Sequence, residues 1–225
     1  MKKKVKTYQN RMQNIEYENK GPVQIGPNAS YIWRTDPRHL VFLLSRYKFC
    51  SKLLEGKKKV LEVGCGDGLG IPILLQTTGS VHGLDLEDVL IDELKEKYRG
   101  NAKASFSVLD ITKSRPKEQY DAVCSLDVIE HIPQKLENKY LINIVKSLKK
   151  DGVCIIGTPN ITAKNYATKL SKKDHINLKD HKSLKELLEK YFNNVFLFSM
   201  NDEVVHTGFY PMAHYLFAVA VGRRS

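Results

Sequence analysis

A chain of 225 residues, 42% of them hydrophobic, can bury a core of its own and suits one α/β domain with a small appended part. Its four cysteines, Cys50, Cys65, Cys124 and Cys154, form no C-x-x-C pair, which argues against a disulfide framework or a zinc site, and no stretch approaches the roughly 18 to 20 apolar residues of a membrane helix. The net charge of +11 is concentrated early: residues 1–59 carry 14 Lys and Arg against 4 Asp and Glu, a net of +10, and residues 60–225 carry 22 against 21, so the bulk of the chain lacks the excess of a nucleic-acid binder.

The leader begins with Lys2, Lys3, Lys4 and Lys6, read as a solvated tail with no apolar stretch behind it, so a soluble cytoplasmic protein is expected. Residues 17–40 mix Gly, Pro and aromatics and read as an ordered loop or cap. HLVFLLSRYKFCSKLLEG (39–56) has apolar residues at helical spacing and ends on a glycine suited to a helix C-cap. Seven strand signals follow: VLEVG (60–64), SVHGLDL (80–86), ASFSVLDI (104–111), YDAVCSLDV (120–128), GVCIIGTP (152–159), NVFLFSM (194–200) and HYLFAVAVG (214–222). Helix signals at 70–77, 89–98, 135–150 and 183–192 alternate with them, Pro72 being tolerable in a first turn.

This order predicts right-handed βαβ units: a Rossmann-like, seven-stranded, mostly parallel sheet with one antiparallel edge strand and an N-terminal cap. Residues 1–56 form the expected leader, cap and helix, and residues 57–225 the main domain. Residues 201–213 read as a long polar loop near a site.

VLEVGCGDGLG (60–70) places four glycines after a strand and before a helix, a place suited to binding an anionic or polar group. No G-K-[ST] follows, which excludes a Walker loop, and Leu69 stands where a G-x-G-x-x-G fingerprint needs its third glycine. Glu62, two residues before the turn, would repel a pyrophosphate and suits a ligand with a cationic or amino end.

The pattern E-x-G-x-G-x-G, from Glu62 to Gly68, resembles motif I of the class I S-adenosylmethionine-dependent methyltransferases. Asp85 in VHGLDL, Asp110 in SVLDIT, SLDVIEHIP (125–133) and GTPN (157–160) match later positions of that family in order, the likeness being good over residues 57–160. It implies that S-adenosylmethionine is bound, and S-adenosylhomocysteine released, by Glu62, Gly64, Cys65, Gly66, Asp85, Leu86, Asp110, Ile111, Leu126 and Asp127. Asp85 would take the ribose hydroxyls, Asp110 and Ile111 the adenine, and the stretch near Asp127 the methionine moiety. A non-catalytic S-adenosylmethionine-binding subunit is the competing reading.

Methyl transfer needs a nucleophile near attack distance and a base; no metal is required in principle, and none is expected. His131, just beyond the fourth strand, is the candidate base, and Tyr31 of the leader a candidate catalytic partner, by likeness to the lid tyrosine of phosphoethanolamine methyltransferases. Substrate-binding candidates are Trp33, Arg34, Arg38, His175, Asn177, Asp202, His206 and Tyr210, with Arg34 and Arg38 placed to grip a phosphate.

The leader and the HINLKDH and FSMNDEVVHTGFYPMAHY stretches also resemble small methyltransferases of bacterial surface-polysaccharide biosynthesis. The expected acceptor is a small polar, phosphorylated metabolite in capsule or surface-glycan biosynthesis, with N-methylation of ethanolamine phosphate first. O-methylation of a sugar or sugar nucleotide comes next, and RNA methylation, for which no binding module or N-P-P-[YF] motif is seen, comes last. A membrane partner is not expected; a homodimer is compatible with the sequence.

Overall fold

Two prolines that would break a helix interior start helices here. Pro27 opens α2 (Pro27–Thr35) and Pro37 opens α3 (Pro37–Leu53), positions whose N–H has no intrahelical partner to lose. An earlier helix, α1 (Tyr8–Lys20), begins where the Thr7 hydroxyl accepts from the Asn10 amide at 3.3 Å. The segment read as a loop or cap is therefore mostly helical. The computed structural model describes residues 5–224, so Lys2, Lys3 and Lys4 of the expected tail lie outside the described residues, while Lys6 is exposed.

The sheet is built from β1 (Lys59–Val63), β2 (Ser80–Asp85), β3 (Ala104–Val108), β4 (Tyr120–Leu126), β5 (Leu148–Pro159), β6 (Phe192–Asn201), β7 (Val204–His206) and β8 (Tyr215–Arg223). Their order is β3-β2-β1-β4-β5-β8-β6-β7. The pairings among β1 to β5 are parallel; β8 runs antiparallel to both β5 and β6, and β7 antiparallel to β6. The expected mostly parallel sheet is present with two refinements. The long antiparallel strand β8 sits inside the sheet, and the edge is β7, an eighth strand within the segment read as a polar loop. Only three residues long, β7 gives too short an alternation to read from sequence.

The connecting helices are α4 (Ile71–Leu74), α5 (Asp88–Lys97), α6 (Glu137–Ser147), α7 (Lys169–Asp174) and α8 (His181–Glu189). Strand alternation sorts the core into two layers. Val60, Val81, Ala122 and Cys124 pack with Tyr47 and Cys50 of α3, with Leu54 just after it, and with Ile71, Leu74, Ile91 and Leu94 of α4 and α5. Leu61, Val63, Val123 and Ile156 pack with Tyr140, Leu141 and Ile144 of α6 and with Leu184, Leu187 and Leu188 of α8. The leader helix α3 thus supplies part of the core. All four cysteines are free and buried. Among the described residues no helix is long and apolar enough to cross a membrane.

Candidate active site

The carboxyl ends of β1, β2 and β4 open onto a cleft of about 560 Å³, with the leader along one side. Such a volume holds a ligand of nucleoside size. Its floor is the glycine loop. Gly64 has φ +77°, and a Cβ there would meet Val128 Cγ2 at 2.2 Å, so a side chain is excluded by both conformation and space. The Gly64 and Cys65 amides donate to the Leu84 carbonyl at 2.8 and 2.9 Å, and the Gly66 amide donates to Asp85 Oδ2 at 2.8 Å. The end of β2 therefore holds the loop open.

Gly64, Cys65, Gly66, Asp85, Leu86, Asp110, Ile111, Leu126 and Asp127, all expected around the donor, line this one cleft. Asp110 also accepts from the Thr112 amide and hydroxyl at 2.9 and 2.6 Å and pairs with Lys113 at 3.0 Å. Burial alone would raise its carboxyl, but these Thr112 and Lys113 contacts outweigh it and hold the group below the usual range.

Glu62 stands apart from the lining residues, one layer beneath the loop. It is 1% exposed, and neither carboxylate oxygen has a hydrogen-bond partner. Burial pushes its carboxyl up to about 8; the Tyr47 hydroxyl, near but outside hydrogen-bond geometry, offsets only part of this, and Asp85 and Asp67 add to it. An orphaned acid under a left-handed glycine turn fits a ligand with an ammonium end better than one with a pyrophosphate.

Sequence reading missed the cleft's roof. Asn28, Ala29 and Ile32 of α2 and Leu43 and Tyr47 of α3 line it. The buried Asp67 carboxylate accepts from the Ala29 amide at 2.8 Å, so a residue of the glycine loop caps a leader helix. The signal available was a D-G pair facing a G-P-N helix start, and neither names its partner.

At the far wall Asp127 adopts φ +56° and receives two 2.8 Å contacts from Arg46 Nη1 on α3. The Arg46 guanidinium lies 3.9 Å from the centre of the Tyr215 ring. Glu130 is fully buried, with Oε2 accepting from the Thr158 hydroxyl at 3.1 Å. Burial first, then Asp127, raises its carboxyl above the usual range. The Glu130 carbonyl accepts from the Ile176 and Asn177 amides, both at 2.9 Å, which draws residues 174–177 under the turn. His131 and His175 consequently stand with ring centres 5.0 Å apart, and His131 Nδ1 lies 3.2 Å from the Asp174 carbonyl. His131 and Asp174 both line the cleft.

The other expected residues are placed elsewhere. Tyr31, Trp33, Arg34 and Arg38 are exposed on the leader and absent from the cleft lining, with Arg38 3.7 Å from Asp36. The α2 face that reaches the cleft carries Asn28, Ala29 and Ile32. Asn177 is buried between Glu137 and Lys179, donating to the first at 2.8 Å and accepting from the second at 2.9 Å, and is spent on that ion pair. Asp202 is the exposed tip of the β6–β7 turn with φ +51°, and His206 lies 3.0 Å from the Asn201 side-chain oxygen beside it. Tyr210 stacks on His181 at 4.8 Å, outside the cleft lining.

A family model described as a methyltransferase domain matches residues 34–195. The ubiquinone biosynthesis O-methyltransferase of Rickettsia bellii (strain OSU 85-389) is 33% identical over 134 residues, covering 59% of this chain and 55% of that protein. The phosphoethanolamine N-methyltransferase of Plasmodium falciparum (isolate 3D7) is 32% identical over 105 residues, covering 46% and 40%. The chain thus spans about half the length of the curated relatives it matches. In fold it is similar to the N-methyltransferase NodS from Bradyrhizobium japonicum WM9, crystallised with S-adenosyl-L-homocysteine, at TM-score 0.61 and 14% identity, covering 93% and 97% of the two chains. None of these three is named as a surface-polysaccharide enzyme, the kind suggested by the leader and late loops. The glycine cradle, the orphaned Glu62 beneath it and a family match spanning most of the chain agree: this protein belongs to the class I S-adenosylmethionine-dependent methyltransferases.

Proposed function

We propose that the protein transfers a methyl group from S-adenosylmethionine to a hydroxyl oxygen of a small polar acceptor. The observation that carries this reading is the placement of His131 on the cleft wall, its ring held by Asp174. Bound S-adenosylmethionine supplies an electrophilic sulfonium methyl. Gly64, Gly66 and Asp85 fix the loop on which it rests, and the α2 and α3 residues cover one side of the cleft. Asp127, fixed by Arg46, orients the wall against which the acceptor lies. The acceptor hydroxyl faces His131, and its proton leaves at the corner formed by Glu130, His131 and His175. Likeness to an O-methyltransferase over 59% of the chain supports an oxygen acceptor.

N-methylation of an amine such as ethanolamine phosphate is the second reading, favoured by the Asp127 and Asp174 carboxylates in the cleft lining, which suit an ammonium. The phosphate grip imagined for Arg34 and Arg38 does not support it, because both side chains are exposed outside the lining. Sugars and sugar nucleotides represent the surface-glycan setting among the acceptors to test.

The test is incubation with labelled donor and a panel of hydroxylated aromatics, free sugars, sugar nucleotides, ethanolamine phosphate and RNA. Label on a hydroxyl oxygen is expected, together with loss of turnover and retained donor binding in His131→Ala. Label confined to amines or to RNA overturns the hydroxyl reading.

A further inference from the structure

Behind His131, at the edge of the cleft, the chain gathers more ligating chemistry than proton removal requires. Donor atoms of Glu130, His131 and His175 lie within 4.8 Å of one another, although His175 is 44 residues from His131 in sequence. The grouping is built by backbone: the Glu130 carbonyl accepts from both the Ile176 and Asn177 amides at 2.9 Å, which fixes the second histidine beside the first. Asp174 holds the His131 ring through contacts at 3.2 and 3.3 Å, the carboxylate-to-imidazole support that orients metal-bound histidines.

An independent observation points to a ligand. Glu130 is fully buried and its Oε2 is satisfied by Thr158, yet Oε1 is buried with no hydrogen-bond partner. A buried carboxylate oxygen without a donor is costly unless something brings the positive charge it lacks. Arg46 gives that oxygen no hydrogen bond: its Nη1 is engaged by both carboxylate oxygens of Asp127 at 2.8 Å, and its charge offsets only part of the burial that raises the Glu130 carboxyl.

We propose that Glu130, His131 and His175 form a binding site for a divalent first-row transition cation at the edge of the donor cleft. Two imidazoles and one carboxylate suit manganese, iron, cobalt or zinc, and the four cysteines, buried and free, take no part. With bonds of about 2.1 Å, ligand atoms on one ion stand about 3 to 3.5 Å apart, so rotations moving each donor by about 1 Å close the site. His131 and Asp174 line the cleft, so the coordination positions left open face the acceptor space. An acceptor oxygen held there would be more acidic; this use, unlike the site itself, rests on the methyl-transfer reading above.

The test uses the full chain, stripped with EDTA, dialysed and titrated with MnCl2 while free Mn²⁺ is followed by electron paramagnetic resonance. One saturable site per chain is expected, weakened at least about tenfold in Glu130→Gln and in His175→Ala. Circular dichroism and S-adenosylhomocysteine binding verify that both variants are folded. No saturable site in the wild type, or undiminished binding in both variants, overturns the proposal. Should a variant unfold, proton NMR of wild-type protein loaded with CoCl2 decides: hyperfine-shifted exchangeable imidazole N–H resonances support the site, and their absence overturns it. Transfer that persists in EDTA with no Mn²⁺ bound removes the cation and leaves the methyl-transfer reading intact. Mn²⁺ bound in the cleft with no transfer to any acceptor supports the site and removes that reading.

Discussion

The Asp67 carboxylate accepts a 2.8 Å hydrogen bond from the Ala29 amide, joining the middle of the glycine loop to the first turn of a helix 38 residues earlier. Donor floor and leader roof therefore share one buried contact. Asp67→Ala removes the cap, at about 1 kcal/mol, and frees α2 from the loop. Calorimetric donor titration should show several-fold weaker binding, and limited proteolysis should show faster cleavage within residues 21–36, with the sheet core intact. Asp67→Asn, which keeps an acceptor oxygen, should restore most of both.

Gly64→Ala tests the loop itself. The added Cβ would lie 2.2 Å from Val128 Cγ2 at a φ of +77°, so two penalties act together, on the order of 2 to 4 kcal/mol in sum. Thermal unfolding should fall markedly and donor binding disappear. Adding Val128→Ala should recover part of the stability by removing the clash, but not all of it, because the backbone strain remains. Full recovery would show that space alone sets the requirement for glycine.

Arg46→Met leaves Asp127 without its partner on a wall where Asp127 is 31% exposed. Removing one member of a fully buried pair costs about 3 to 5 kcal/mol; solvent reaching Asp127 reduces the expected loss here to about 2 kcal/mol. Urea denaturation should show that loss. The double variant Arg46→Met with Asp127→Asn should be more stable than Arg46→Met alone, since no unpaired charge remains and Asn tolerates the left-handed backbone at 127. Donor binding should be impaired in both.

The pH dependence of stability follows from Glu62. Its folded carboxyl is raised to about 8 from an ordinary value of 4.5, so the folded state holds its proton while the unfolded chain releases it. This contribution is neutral below about pH 4.5, and stability then falls as pH rises from there to about 8. Glu62→Gln should flatten part of that fall in melts at pH 5 and pH 8.5. Glu130, also raised by burial, leaves a residual slope in the variant. A ligand ammonium near Glu62 favours the ionised form, so donor binding at pH 7 should release protons, measurable as a dependence of calorimetric heat on the buffer's ionisation enthalpy.

Much of this site is legible in sequence because its residues follow strands. Gly64, Asp85, Asp110 and Asp127 come just after or at the ends of β1 to β4, and parallel pairing carries such positions to one edge of the sheet. Strand alternation similarly gives the two core layers. The roof was not legible: which face of α2 meets the loop depends on the Asp67 to Ala29 contact, and the helix itself was hidden by prolines that usually signal turns. For the same reason Tyr31 and Trp33, chosen for their chemistry, point outward while Ile32 between them reaches the cleft. Asn177 and His175 lie two residues apart and differ in fate because one is buried in the Lys179–Glu137 pair and the other stands against His131. Composition marks such a segment as polar without saying which side chains are already satisfied.

The position of β8 between β5 and β6 bears on the order of assembly. During synthesis both neighbours emerge before the strand that joins them, so β5 waits with an open edge, and the β6–β7 hairpin has no ladder to the rest of the sheet until β8 arrives. The edge left waiting contains the apolar run from Val153 to Ile156, a segment able to pair with another nascent chain. Docking of β8 thus removes a strand edge through which copies of the chain could pair.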